Sequence, residues 1–461
     1  MGVDVVMRRG SAYVVFDVDL GKGVEPALPD WAEGPLPVAD RDGGVVDRAR
    51  RMTYFEPRVA ESLYGSPERP ARWHRRLAAA AATGTAEPTP TGRVVEGVEL
   101  LRLPAVFGPG AERRGLAVLH VRLSADPLTD LAELADLTAS RAAYTRELPE
   151  GVRIAASGRR PWTLCHVTFA DGTPPEPLPP PYAGWGARDQ WLWLLASATP
   201  LSRFPPDPED TALFDGRVRF SADWHALVLR DGAAFLGTSP DPGGDAVFHA
   251  GAAVLVRTIY LDTFLLGRLQ VLGLNRLANS LAGMTAQEAD ANRLLALEGR
   301  LIELRRALWS SHITTRAKAN ELLERFQEQH RLAQLLAATG SGLADAARYV
   351  DAARSRRSAL ALGLLSAVGL PFGVAYAAGA LWGDPAPATL LVCTLAALAA
   401  AALLFALLPP LRGLASGELR GRGGRPNGSG RTVGGRTAGG RTRGTRSDRD
   451  ARADDPHAWE D

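Results

Sequence analysis

Residues 358–382 read SALALGLLSAVGLPFGVAYAAGALW, a run of 25 amino acids without a charged side chain. After the connection GDPAP, residues 388–408 read ATLLVCTLAALAAAALLFALL, a second uncharged apolar run. An α-helix rises about 1.5 Å per residue, so roughly 20 apolar residues cross the hydrocarbon core of a bilayer. The two runs therefore predict a transmembrane two-helix hairpin at 358–408. The alternative is a pair of buried helices in a soluble domain.

The arginines around these runs predict an orientation in the membrane. They lie just before the first run and just after the second, and the connection has neither Lys nor Arg: Arg348, Arg354, Arg356 and Arg357 precede, and Arg412, Arg420 and Arg422 follow. Because basic residues stay on the cytoplasmic side, we expect a plasma-membrane protein with both termini in the cytoplasm. Trp382, Gly383 and Asp384 would then form the outer end of the first helix and the outer loop.

Small residues recur at three- and four-residue spacing in the first run: Ser366, Gly369, Gly373, Ala377 and Ala380. In lipid, such residues let helices approach closely and pack by van der Waals contact. The pattern fits a homo-oligomer with this helix near its axis. It fits equally well a packing contact within one chain.

Composition indicates a folded protein and limits the kinds of site. The 461 residues are 46% hydrophobic and 23% charged, and 53 basic residues nearly balance 51 acidic ones. This balance says little about partners. The Arg/Gly-rich residues 409–461 could bind RNA weakly, but membrane adhesion explains them better, so we do not expect nucleic acid as a partner. Cys165 and Cys393 are the two cysteines, which excludes a disulfide framework and a cysteine-based zinc site. Only Lys22 and Lys318 are lysines, which we interpret as a coding bias towards arginine.

Residues 1–250 are predicted to form an α+β cytoplasmic domain. A helix begins at Asp126-Pro127, and Arg230-Asp231-Gly232 is the turn of a hairpin between 224–229 and 233–237. Apolar runs rich in β-branched residues predict four further strands, at Ala12–Val18, Val94–Leu103, Leu116–Leu123 and Trp162–Phe169.

Residues 251–357 are predicted to form a helical stalk or bundle. One helix covers 255–281, and a second covers 285–338 with a capping box at Thr285–Glu288 and leucines at coiled-coil spacing. Gly340 and Gly342 predict a break, which would be either a hinge or a simple turn between helices. Residues 409–461 are rich in Arg and Gly and are predicted to be a disordered tail near the lipid surface.

The sequence has no recognisable catalytic constellation. Asp17-Val18-Asp19 follows an apolar run, as in haloacid-dehalogenase-like phosphatases, but Gly21 stands where that loop needs Thr or Val. The eight histidines are scattered. We therefore predict no catalytic residue, no metal site, no cofactor and no enzymatic activity.

The layout resembles that of the CorA-type magnesium transporters, a family with a large cytoplasmic domain, a helical stalk and two C-terminal membrane helices. Ala378-Gly379-Ala380-Leu381-Trp382-Gly383 is similar to the end of the pore helix, and Leu370-Pro371 to a Leu-Pro pair earlier in it. Asp384-Pro385 stands where the family has the Met-Asn of its Gly-Met-Asn motif.

The resemblance implies an oligomeric cation channel or transporter, gated by its cytoplasmic domain and binding a divalent cation. The alternative is a membrane-anchored regulatory or interaction protein of a stress or defence pathway, without transport activity.

Overall fold

A computed structural model describes most of the N-terminal three quarters of the chain. It describes residues 7–21, 30–40, 43–77, 92–155, 160–169, 175–238, 247–284, 291–309 and 312–381, with a few single positions between 388 and 399. Its contacts divide the chain into two units, Met1–Arg354 and Ser355–Asp461.

The first unit contains a mixed sheet of ten strands in the described residues. Its order is β10-β11-β12-β9-β1-β7-β6-β5-β2, with β8 beside β1, and only the β12–β9 pair is parallel. The strands, of which β3 and β4 form a separate pair, are β1 Met7–Asp19, β2 Ala32–Glu33, β3 Val38–Ala39, β4 Val45–Val46, β5 Arg72–Arg76, β6 Val94–Arg102, β7 Arg114–Arg122, β8 Arg153–Ile154, β9 Trp162–Phe169, β10 Arg217–Arg219, β11 Trp224–Val228 and β12 Gly232–Gly237.

Helices cover both faces of this sheet. This is why the central strands lack a polar side, and all eight residues of β9 are buried. The helices are α1 Arg48–Met52, α2 Pro57–Tyr64, α3 Pro127–Ala135, α4 Leu137–Glu147, α5 Ala187–Ser197, α6 Val247–Leu255, α7 Leu261–Ala282, α8 Ala291–Leu308, α9 Ala317–Gln329 and α10 Leu332–Leu381, with a π-helical turn at Val256–Tyr260 between α6 and α7.

The first hydrophobic core lies between one sheet face and the helices α6 to α10. At its centre the ring of Trp162 on β9 lies 4.9 Å from that of Phe264 on α7 and 5.8 Å from that of Phe326 on α9. The second core lies on the opposite face, beneath α3, α4 and α5, where Phe16 stacks on Tyr144 at 5.5 Å.

The continuous helix Phe248–Ala282 is the one helix in the described residues that is long and apolar enough to cross a membrane. In its most apolar 18-residue window, 67% of the helix is buried inside the protein. It lies between the sheet and the helices α8 and α9, so its composition is that of a core helix surrounded by protein.

The strands predicted from apolar runs are confirmed. Trp162–Phe169 matches β9 at both ends, and the Asp-Gly hairpin joins β11 to β12 with Leu229 N donating to Gly232 O at 2.8 Å. The helix predicted at Asp126-Pro127 is α3, with the Asp126 carboxylate accepting from Thr129 N at 3.2 Å.

The predicted fold class is wrong at its C-terminal end. The structure has a mixed sheet in the N-terminal half followed by helices, and a transmembrane two-helix hairpin is not shown. The first apolar run forms the end of the helix Leu332–Leu381, whereas most of residues 382–408 lie outside the described residues. Hydropathy measures composition alone, and the helix that meets the membrane criterion is buried in the first unit.

Two helix boundaries also differ from the prediction. The helix expected at 285–338 is divided into α8, α9 and the start of α10, and Thr285–Glu288 lies outside the described residues. Conversely, α10 continues through Gly340 and Gly342. Gly342 packs against α7, because a Cβ at this position would lie only 2.9 Å from Leu281 Cδ2. The close contact between the two helices therefore explains why this residue is a glycine.

Gly267 provides a test of the first core. A Cβ at this position of α7 would lie 2.5 Å from Cδ1 of the fully buried Phe326 ring. We expect Gly267→Ala to lower the free energy of unfolding by about 2 kcal/mol, because the ring has no space to move into. Gly299→Ala is the matched control. Gly299 is an exposed helical glycine with no atom within 4 Å of its would-be Cβ, so this change should stabilise α8 by up to about 1 kcal/mol. Urea denaturation measures the free energy of unfolding of both variants. Equal changes in the two would contradict the close packing of Gly267 against Phe326.

Candidate anion-binding site

A polar cavity of about 780 Å³ opens in the first unit, at the end of the sheet where the interior strand β9 begins. Four segments form its wall: the start of β9, the β11–β12 turn, the middle of α7 and the α9–α10 turn. We call it the arginine cavity, because its lining includes Arg160, Arg230, Arg268 and Arg331. Trp162, Val271, Leu332 and Leu335 supply apolar surface, and Asn275 and Gln334 supply neutral hydrogen-bonding groups.

The charge in this cavity is unbalanced. Four guanidinium groups face a single lining carboxylate, that of Asp231. Arg268 Nη2 lies 3.3 Å from Asp17 Oδ1 on β1, while Arg268 Nε is buried and has no hydrogen-bond partner in the described residues. An excess of cations in a concave, partly dry site raises the local concentration of anions.

Arg160 is held by the end of a neighbouring helix. Its Nη1 donates to Thr199 Oγ1 at 2.6 Å, and its Nη2 donates to the backbone oxygen of Ala198, the C-cap residue of α5. Burial lowers the pKa of Arg160. The cation is therefore fixed in place by neutral oxygens, and its charge is not cancelled by a bonded carboxylate.

His330 ends α9 on the cavity wall. Its ring lies 4.2 Å from that of Phe326, and Nε2 is buried without a hydrogen-bond partner in the part of the chain that the structure describes. Burial and the cations of Arg268 and Arg230 lower the pKa of His330 to about 3. The imidazole is therefore neutral at physiological pH and accepts or donates hydrogen bonds without adding charge.

Arg331 makes the reversal between α9 and α10 in a strained conformation. Its φ is +50°, in the left-handed region that costs a residue with a Cβ about 1 kcal/mol. Glycine would make this turn without that cost, yet an arginine facing the cavity is present. Leu335 N donates to Arg331 O at 3.0 Å, so α10 starts here and its positive dipole end adds to the cationic field.

A second cluster of charges is fully buried, and its positive and negative groups balance, unlike those of the arginine cavity. Asp262 at the start of α7 binds Arg72 Nη1 at 2.7 Å, Arg51 Nη1 at 3.2 Å and the Tyr64 hydroxyl at 2.7 Å. Arg72 Nε also donates to Glu99 Oε2 at 2.6 Å. Two guanidinium groups and two carboxylates therefore neutralise each other.

The remaining oxygen of Glu99 also has partners. Its Oε1 accepts from Leu36 N at 2.9 Å, and His120 Nε2 lies 2.9 Å away. Burial alone would raise the pKa of Glu99, but Arg72 and His120 hold that pKa well below its usual value. This network is buried and charge-neutral, so we interpret it as a structural connection between α7 and the sheet.

A further cavity of about 460 Å³ lies on the other sheet face, between α3, α5 and the segments around Pro177 and Pro200. Leucines and prolines dominate its lining, and Glu133 and Asp136 are its charged members. Among the described cavities, the arginine cavity is therefore the one that combines size with excess positive charge.

Comparison with known proteins leaves the geometry as the basis for function. The sequence matches no known protein-family profile. No curated protein matches it either. The resemblance to CorA-type transporters thus stays a prediction.

The described lining of the arginine cavity includes none of the site residues predicted from the sequence. Trp382, Gly383 and Asp384 lie outside the described residues. The predicted packing face is in α10, where Ser366, Gly369, Gly373 and Ala377 are exposed in the single chain, and the side chain of Ala380 is not described. A Cβ at Gly369 or Gly373 would meet no described atom within 4 Å. The role of this face in an oligomer stays a prediction.

The four arginines of the cavity were not identified from the sequence. They are separated by up to 171 positions, from Arg160 to Arg331, and come from segments without a shared motif. In a chain where nearly every basic residue is arginine, residue type carries no signal. One clue was local: Arg230 and Asp231 lie in the hairpin turn that the pattern predicted.

The buried network predicts a large effect of one charge. Asp262→Asn leaves Arg51 and Arg72 facing only Glu99 inside the protein, and unpaired buried charge is costly. We expect the free energy of unfolding to fall by about 3 kcal/mol, measured by urea denaturation. The control is Asp345→Asn, which removes an exposed ion pair with Arg348 and should cost less than about 0.5 kcal/mol. Similar values for both would show that the network is not a structural connection.

Proposed function

We propose that this chain is a membrane-attached regulatory protein that binds a small anionic ligand in the arginine cavity. The observation that carries the proposal is a cavity of about 780 Å³ lined by four guanidinium groups, of which only Arg268 has an ion pair with Asp17 in the described residues, and by the single carboxylate of Asp231. That volume is within the range of small-molecule sites, about 300 to 1,000 Å³. Phosphate, sulfate or carboxylate groups are the ligands that arginine forks prefer.

The chemistry of the wall favours binding over covalent catalysis. Its described residues offer four arginines, the carboxylate of Asp231, the imidazole of His330, two amides and apolar surface, and they include no Ser, Thr, Cys or Lys. His330 is neutral and packed on Phe326. Such a site suits recognition of a charged metabolite.

The same charge argues against cation sensing by this cavity. The resemblance to CorA-type transporters implies a divalent cation as ligand, and four arginines repel such an ion. The regulatory alternative is therefore the better supported of the two functions.

Attachment to a membrane is supported by the end of α10. Residues 358–381 have no charged side chain, and Leu362, Val374, Tyr376 and Leu381 are 64%, 64%, 65% and 84% exposed. A long helical surface of this kind is unfavourable in water. A lipid bilayer provides the apolar surroundings it needs.

Two substitutions of Arg331 distinguish its contribution to ligand binding from its effect on the stability of the fold. Arg331→Gly removes a cation from the cavity and relieves the positive φ, so affinity for inorganic pyrophosphate should fall about tenfold while the free energy of unfolding rises by about 1 kcal/mol. Arg331→Gln should lose the same affinity without that gain. Isothermal titration calorimetry and urea denaturation measure the two quantities.

The matched control for Arg331→Gln is Arg306→Gln, an exposed arginine of α8 outside the cavity. It should leave the affinity for pyrophosphate unchanged. Absence of pyrophosphate and sulfate binding by the wild-type chain would overturn the proposed ligand class.

Membrane attachment is tested by flotation of the full chain with liposomes. The double substitution Leu362→Asp and Val374→Asp should abolish flotation, because a charge is costly within the hydrocarbon core, up to about 3 kcal/mol at its centre. Tyr349→Asp introduces a charge at a residue that is 57% exposed and precedes the apolar run, and it should leave flotation unchanged. If the wild-type chain stays in the aqueous fraction, membrane attachment is wrong.

A further inference from the structure

His330 occupies the arginine cavity in a way that leaves one ring nitrogen for a ligand. One face of the imidazole packs on Phe326. Nε2 is buried, and none of the described residues offers it a hydrogen bond. A polar atom that is buried and unbonded beside a cavity indicates a missing partner.

We infer that the arginine cavity takes up its anion together with one proton, carried by His330. This inference rests on the proposed function, because it concerns the same cavity. The protonated imidazole donates its Nε2 hydrogen to an oxygen of the bound anion. The site is therefore a pH-dependent anion sensor whose ligand binds more tightly as pH falls.

The charged groups around His330 explain why the empty cavity repels a proton. They come from four segments: Arg160 before β9, Arg230 and Asp231 in the β11–β12 turn, Arg268 on α7, and Arg331 next to His330. Asp17 on β1 partly compensates Arg268. The balance is strongly positive, and it keeps the imidazole neutral.

A bound dianion reverses this balance. In the empty cavity the pKa of His330 is lowered to about 3 by burial and by Arg268 and Arg230. One negative charge about 4 Å away, at an effective dielectric constant of about 20, raises a pKa by roughly three units. The pKa of His330 in the complex should therefore lie near 6 or above.

The direction of the pH effect follows from these two values. Between the pKa of the empty cavity and that of the complex, only the complex holds the proton, so lower pH favours binding. The dissociation constant should fall about tenfold for each pH unit below about 6. Above the pKa of the complex it should be constant.

Sulfate is a suitable probe, because it keeps its charge between about pH 5 and pH 8. We would titrate the full chain with sulfate by calorimetry across this range, in pairs of buffers with different ionisation enthalpies. The expected result is at least about fivefold tighter binding at pH 5 than at pH 7.5. Proton uptake should approach one per sulfate at pH 5 and fall towards zero at pH 8.

Two substitutions isolate His330. His330→Gln keeps a hydrogen-bonding group, and His330→Phe keeps an aromatic ring on Phe326, but neither binds a proton. Both should bind sulfate with an affinity that is independent of pH and without proton uptake. His312→Gln, an exposed histidine outside the cavity, is the control and should behave like the wild type. Circular dichroism at each pH verifies that every variant is folded.

The outcomes separate the two proposals. Sulfate binding that is equally tight at all pH values, or pH dependence that persists in both His330 variants, would overturn proton uptake and leave the anion site intact. Failure of the folded wild-type chain to bind sulfate at any pH would overturn the anion site itself, and with it this inference.

Discussion

Two guanidinium groups and two carboxylates are sealed inside this protein where α7 meets β5 and β6. Each ion is stable there only because its partners are within hydrogen-bonding distance, with Arg72 joining Asp262 to Glu99 at 2.7 and 2.6 Å. Water cannot replace a lost partner, since the side chains of Arg51, Arg72, Glu99 and Asp262 have no exposed surface. The network therefore allows one register of the helix on the sheet. Arg268 follows Asp262 by six residues, about 9 Å of helix rise, so this register also determines where the arginine cavity has its α7 wall.

The protein uses arginine in two physically different ways. In the buried network every guanidinium has a carboxylate partner, and the result is rigidity without net charge. In the arginine cavity, Arg160 is bonded to neutral oxygens and Arg331 is held at φ +50° on an exposed turn. The cost of that strain and of the uncompensated charge is understandable if an anion occupies the site. Comparing the two clusters thus separates an interaction that stabilises the fold from one that is suited to binding.

Apolar composition alone did not determine which helix is surrounded by protein and which is exposed. Phe248–Ala282 is apolar because protein surrounds it, and its Phe264 packs against Trp162 and Phe326. The uncharged part of α10 has a similar composition, but its large side chains are exposed. A protein interior and a lipid bilayer both exclude charge, so they select the same residues. The hairpin expected from composition is not shown, because most of residues 382–408 lie outside the described residues, whereas membrane contact by α10 is a proposal based on exposure.

The sequence by itself determined the local elements that depend on neighbours along the chain. A short apolar run placed β9, Asp-Gly placed the β11–β12 turn, and Asp126 placed the start of α3, because strand formation, turn geometry and helix capping depend on a few neighbouring residues. Only the tertiary structure decided that Gly342 lies inside a helix, that Asp262 is paired with residues about 190 and 211 positions away, and that four distant arginines share one cavity. Those features depend on which surfaces meet and which charges lose their water. The neighbours of a residue along the sequence determine neither of these two properties.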